Sequence, residues 1–133
     1  MSLYTSALRR RARPNGRFEV LAWFFMRVSG VVLLFIAVGH LLVMHLVIGL
    51  ENIDFNTIVG RWTGPLGAFW RVYDLALLLF AMIHGLNGAR WVIDDYITRP
   101  GPNWAVKSVV FTLGAILILM GAFIIFTFRP TGA

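Results

Sequence analysis

The sequence predicts an all-α integral membrane protein built on three transmembrane helices. Three observations predict it. Of its 133 residues, 59% are hydrophobic and only 14% are charged. The mean hydropathy is +0.78. The apolar residues gather into three long runs parted by glycine and proline, each long enough for the roughly 20 residues that cross a bilayer core. A soluble domain of this size needs more polar surface to cover its core. The chain has no cysteine, which excludes a disulfide framework, a zinc–thiolate site, an iron–sulfur cluster on this chain and a thiol nucleophile.

Residues 1–19 form a basic arm, with Arg9, Arg10, Arg11, Arg13 and Arg17 among its members. Such an arm can bind nucleic acid. Ahead of a long apolar run it reads instead as a cytoplasmic flank held at an anionic leaflet, so the expected contact is membrane lipid and not nucleic acid. Residues 20–50 form the first predicted span, interrupted by Arg27, His40 and His45. It is too long for a cleaved signal peptide and lacks a small-residue cleavage pattern. Gly60, Gly64 and Pro65 punctuate the first connection. The second span, residues 66–93, contains Arg71, Asp74, His84 and Arg90, and Pro100, Gly101 and Pro102 mark the connection after it. Residues 104–128 form the third span, uncharged after Lys107 and followed by Pro130. Trp23, Trp62, Trp70, Trp91 and Trp104 fall near predicted helix ends, where amphipathic rings favour the headgroup region. With no internal repeat, residues 20–133 read as one membrane domain. The basic excess on the arm and the second connection places the N-terminus in the cytoplasm and the C-terminus outside.

Ionisable groups inside a bilayer are costly and usually face a cofactor, a cavity or another helix. His84 sits in Ala81-Met-Ile-His84-Gly85-Leu-Asn-Gly88, roughly 12 Å below the inner surface at 1.5 Å per residue. A neutral imidazole is a good axial ligand for haem iron, and Gly88 with Ala81 would let a flat porphyrin approach the backbone. Packing against a neighbouring helix is the alternative role. His40, after Gly39, lies nearer the outer face, about 12 Å in depth from His84. The two therefore do not clamp one iron: each, if a ligand, needs a histidine from another chain. His45 lies closer still to the outer interface. Arg27, in Arg27-Val-Ser29-Gly30, can snorkel to headgroups or pair with a haem propionate, with the Ser29 hydroxyl close by. Asp94, Asp95 and Tyr96 follow the second span on the same side. A phenol beside a carboxylate and an arginine suits a quinone carbonyl. A solvated helix end, with Arg90 paired to Asp94 one turn on, is the plainer alternative.

The stretch His84-Gly-Leu-Asn-Gly88-Ala-Arg90-Trp-Val-Ile-Asp94-Asp95-Tyr96 resembles the second-helix signature of the hydrophobic membrane anchors of succinate dehydrogenase, the SdhD type in particular. Arg27-Val-Ser29-Gly30 resembles the start of the first helix in that family, and the resemblance covers nearly the whole chain. The SdhC type shares the pattern met by His84, Gly88 and Arg90; the Asp-Asp-Tyr ending favours SdhD. The resemblance implies half of a haem-binding anchor bundle, with His84 as axial ligand of haem b and Gly88 beside it. It implies Tyr96 and Asp95 at the quinone, and Arg27 by the propionates and the quinone pocket, with Ser29 adjoining. His40 holds a position that serves a second, distal haem in two-haem members. The overall look is nearest the anchors of actinobacteria, which implies a bacterial cell membrane and menaquinone as the quinone.

The implied partners are a second anchor subunit, an iron–sulfur subunit and a flavoprotein subunit. Electrons from succinate would reach a quinone at the cytoplasmic surface, with no succinate chemistry on this chain. Two rival readings stand beside it: the anchor of a quinol:fumarate reductase, and a haem-free scaffold whose histidines only pack. A small transporter needs polar groups along a whole pathway, and the third span offers none.

Overall fold

The computed structural model describes residues 16–129. Arg9, Arg10, Arg11, Arg13 and Pro130 lie outside the described residues, so most of the basic arm does too. Helix α1 spans Arg17–Leu42 and continues as one wider π-helical stretch, Val43–Ile48. It stops at Gly49, whose φ of 83° is costly for a residue with a side chain. A 3₁₀ turn, Leu50–Asn52, leads to the short helix α2, Phe55–Thr63. Helix α3 spans Gly67–Tyr96 and α4 spans Pro100–Thr127. Three helices are long and apolar enough to cross a membrane: Arg17–Ile48, Gly67–Tyr96 and Pro100–Thr127.

The chain departs from the sequence expectation at its connections. The first holds a helix, because Asp54 starts one. Its carboxylate accepts from the Thr57 amide at 2.8 Å, while its own amide donates to the Thr57 hydroxyl at 3.3 Å, a reciprocal cap on the first turn. Gly60 lies inside this helix and does not break it. At the second connection α3 runs on through Asp94 and Asp95 to Tyr96, and α4 begins at Pro100 instead of after Pro102. Proline suits this place: the first turn of a helix has no partner for its N–H groups, and the ring presets φ.

Helix α3 is central, packed on α1 along one side and on α4 along the other. The α3–α4 contact is made by small residues. A side chain at Gly114 would stand 2.6 Å from Leu86 Cδ2, and one at Gly121 would stand 2.6 Å from Leu78 Cδ2. Each glycine thus receives a leucine and lets the backbones approach, the usual basis of helix association in lipid. Arg71 closes the far end. Its Nη1 and Nη2 donate to the Ile125 and Phe128 carbonyls at 2.5 and 2.9 Å, and its Nε donates to the Trp62 carbonyl at 3.1 Å. One guanidinium thereby satisfies carbonyls that the ends of α2 and α4 leave unpaired. Few side chains are buried: Ala22, Ile93 and Ile125 form the apolar core, and large apolar residues cover the outside. Such a surface suits lipid and further helices, not water.

Candidate functional site

Ser29 is the fully buried polar residue among those described, and it explains why His84 sits where it does. Its Oγ lies 2.7 Å from His84 Nδ1 and 3.4 Å from the Met26 carbonyl. With the hydroxyl proton directed at that carbonyl, Oγ accepts from Nδ1–H and the Nε2 lone pair is left available. Donation from Ser29 to Nδ1 gives the other tautomer, with Nε2–H. A metal ligand requires the first, the arrangement in which an outer hydrogen bond orients the ring.

The surroundings fit a flat prosthetic group with one axial ligand from this chain. A side chain at Gly30 would stand 3.5 Å from His84 Cε1, and one at Gly88 would stand 3.7 Å from Met26 Cε, both ordinary contacts. Gly85 faces open space within 4 Å, and Ala81 is exposed. Gly85 and Ala81 thus leave an unfilled side of α3 beside the imidazole, whereas Met26 covers Gly88. No group of three or more metal-ligating side chains exists among the described residues. The donor set here is a single imidazole, which suits a group that brings most of its own ligands.

His40 lies beside Asp74 and Tyr73, ten to eleven residues along α3 from His84, or about 15 Å. The two imidazoles therefore occupy separate levels. His40 Nδ1 is 3.6 Å from Asp74 Oδ1 and has no hydrogen-bond partner among the described residues. Its ring lies parallel to that of Tyr73, centroids 6.3 Å apart, and the Tyr73 hydroxyl donates to the Ile36 carbonyl. His45 is bonded to its own helix, through Nδ1 to the Leu41 carbonyl at 3.0 Å.

Arg27 and Ser29 do not share a site, because positions two apart on a helix face away from each other. Ser29 points inward, while Arg27 is exposed and stacks on Trp23 at 4.0 Å from the ring centroid. Tyr96, the last residue of α3, is 84% exposed, and Asp95 beside it is exposed and borders a polar hollow. No hydrogen bond or ion pair joins Arg27 to Asp95 or Tyr96 among the described residues. Arg90 does not pair with Asp94. It grips Glu19 of α1 with both terminal nitrogens, at 2.8 and 3.1 Å. Asp94 instead accepts from Lys107 at 2.5 Å and Asn103 at 3.0 Å, so each acid ties two helices together.

Sequence reasoning passed over one cluster. Asp74 accepts from Arg61 Nη2 at 3.2 and 3.4 Å and from Trp62 Nε1 at 2.8 Å. Arg61 also stacks on Trp70, 4.5 Å from the ring centroid. An aspartate inside an apolar span needs a cationic partner, and Arg61-Trp62 in the preceding connection was the available signal.

Three membrane-crossing helices, with a buried hydroxyl holding an imidazole between two of them, define a multi-pass membrane protein with a positioned histidine inside its spans. The chain belongs to the succinate dehydrogenase/fumarate reductase transmembrane subunit family, whose model matches residues 2–126. No curated protein sequence matches it significantly. It is thus a membrane subunit of an oxidoreductase complex and associates with other subunits of that complex.

Proposed function

We propose that this chain is the SdhD-type anchor of a succinate:quinone oxidoreductase, one of two hydrophobic subunits that hold haem b and form the quinone site. The observation that carries the reading is the Ser29–His84 bond at 2.7 Å inside the α1–α3 contact. That bond fixes the ring and, in the tautomer with Nδ1 protonated, leaves the Nε2 lone pair free for a ligand. His84 would hold the haem for this chain, with Gly85 and Ala81 leaving room beside the ring, and a second anchor subunit would supply a further ligand. When bound, the haem supplies a one-electron store of tunable potential near the quinone.

The chain's own residues act by placement. Tyr96 offers a phenol donor to a quinone carbonyl, and Asp95 offers a carboxylate that can pass a proton. Arg27, held by Trp23, presents a cation to a propionate or to the quinone. The basic excess at this end supports a cytoplasmic N-terminus in a bacterial cell membrane: among the described residues it holds Arg17, Arg27, Arg90, Arg99 and Lys107 against Glu19, Asp94 and Asp95. Iron–sulfur and flavoprotein subunits would dock here, and menaquinone is the acceptor that the family resemblance suggests. His40, backed by Asp74, has the makings of a ligand for a second haem.

Purification of the tagged chain from its native membrane tests the proposal. The expected product is an assembly with flavin, iron–sulfur clusters and a b-type spectrum that reduces quinone with succinate, and in which Tyr96→Phe raises the KM for quinone. Faster fumarate reduction by quinol than succinate oxidation would assign the reverse enzyme. An assembly without haem would leave only a scaffold.

A further inference from the structure

The hydroxyl of Ser29 is shut off from solvent, the residue being 0% exposed, and it sits on a different helix from the imidazole it meets. Its Oγ stands 2.7 Å from His84 Nδ1 on α3 and 3.4 Å from the Met26 carbonyl on its own helix, α1. The hydroxyl proton therefore has two destinations, and they are not equal. Directed at Met26, it lets Nδ1–H donate to Oγ, and the serine makes both contacts. Directed at Nδ1, it gives up the Met26 contact, and the ring carries its proton on Nε2. That nitrogen has no hydrogen-bond acceptor among the described residues, and an unpaired N–H is costly where water is scarce. Both comparisons favour the proton on Nδ1.

An imidazole that donates its Nδ1 proton to an oxygen becomes a stronger electron donor through Nε2. An iron bound at Nε2 is then held more firmly when oxidised than when reduced, because the oxidised ion draws more density from the ring. Hydrogen bonding behind an axial ligand is one of the means by which a protein sets a haem potential. A serine exerts this effect moderately, since its oxygen is neutral where a carboxylate would be charged. Its burial keeps water from competing for Nδ1, so the effect belongs to a single side chain.

We propose that Ser29, besides orienting His84, sets the reduction potential of the haem, holding it below the value that the same imidazole would give with no acceptor at Nδ1. The proposal rests on the reading that His84 binds haem, and adds to it a positioning residue and a direction. Removing the hydroxyl weakens the hold on oxidised haem about tenfold more than on reduced haem, the lower end of the effect of losing an outer-shell partner. For one electron that is an upward shift of about 59 mV.

Redox titration of the purified assembly, followed at the α-band of its b-type spectrum, tests this in the wild type, Ser29→Ala, Ser29→Cys and Thr112→Ala. Alanine should raise the potential by the full amount. Cysteine nearly keeps the shape, but its sulfur is a weak acceptor, so its potential should fall between those of wild type and alanine. Thr112 is exposed on α4, and losing its hydroxyl should change nothing. An alanine potential equal to or below that of wild type overturns the proposal even where haem is lost more readily, because a merely structural hydroxyl changes retention alone. An equal upward shift in Thr112→Ala overturns it too. Should Ser29→Ala assemble without haem, the cysteine variant decides by the same sign. These failures leave the haem reading standing, since the α-band is present and titrates. A wild-type assembly with no α-band overturns that reading and this proposal together.

Discussion

Replacing Asp74 by leucine should be among the most damaging single changes in the chain. Asp74 and Arg61 have side chains only 15% and 9% exposed, and the carboxylate also accepts from Trp62 at 2.8 Å. Removing it strands the guanidinium, which keeps only the Met44 sulfur at 3.0 Å and the face of Trp70. Stripping one partner from a buried pair costs about 3–5 kcal/mol. Arg61 sits on α2 outside the long spans and can partly relax toward headgroups, so the lower figure applies, about 3 kcal/mol. Changing both partners, Asp74→Leu with Arg61→Met, removes the stranded charge. What remains is the unpaired Trp62 indole, about 1 kcal/mol. The double variant should therefore be roughly 2 kcal/mol more stable than the single one, well inside the coupling expected of contacting residues. Helical circular dichroism during titration of mild-detergent micelles with sodium dodecyl sulfate measures all three proteins. A single variant within about 1 kcal/mol of wild type, or a double variant no better than the single, would refute the reasoning.

Three further outcomes follow from the packing, capping and hydrogen bonding. Gly114→Ala should destabilise more than Gly121→Ala, by about 1 kcal/mol, in the same titration. The new methyl at 114 meets three atoms of Leu86 within 3.1 Å, whereas at 121 only Leu78 Cδ2 stands closer than 3.4 Å and can swing aside. The Thr57 amide and hydroxyl hold the Asp54 carboxyl below the usual aspartate value. Its cap is therefore fully present above that ordinary value, about 3.9, and is lost as pH falls through the lower folded one. Hydrogen exchange at the Thr57 amide should be flat in protection from pH 7 to 5 in wild type and fast throughout in Asp54→Ala. Ser29→Ala should weaken haem retention about 10- to 100-fold, the usual effect of losing an outer-shell partner, measured as haem per flavin after dialysis against apomyoglobin.

Much of the fold was legible because the bilayer imposes long uninterrupted apolar runs, and their count and approximate limits follow from composition alone. The connections were less legible. Prolines at 100 and 102 look like breakers in a linear reading, yet they open α4 because first-turn amides need no partner. Gly60 likewise looks like a break, but the Asp54 cap carries the helix across it. At the site, His84 and Ser29 could each be singled out, and their pairing could not, since it depends on the register of α1 against α3. The same register turns Arg27 away from Ser29. It gives Arg90 to Glu19, seventy-one positions away, when one-turn spacing favours Asp94. Helical periodicity predicts neighbours along one helix; only packing decides partners between two.

The central claim is that the His84 ring, steadied by Ser29, faces a haem shared with another chain. The most direct measurement is the dithionite-reduced minus oxidised absorption spectrum of the purified assembly carrying His84→Ala. The account predicts a b-type α-band in the wild type and its loss in the variant, with the dehydrogenase subunits still attached. An α-band of unchanged position and intensity in the variant would contradict it.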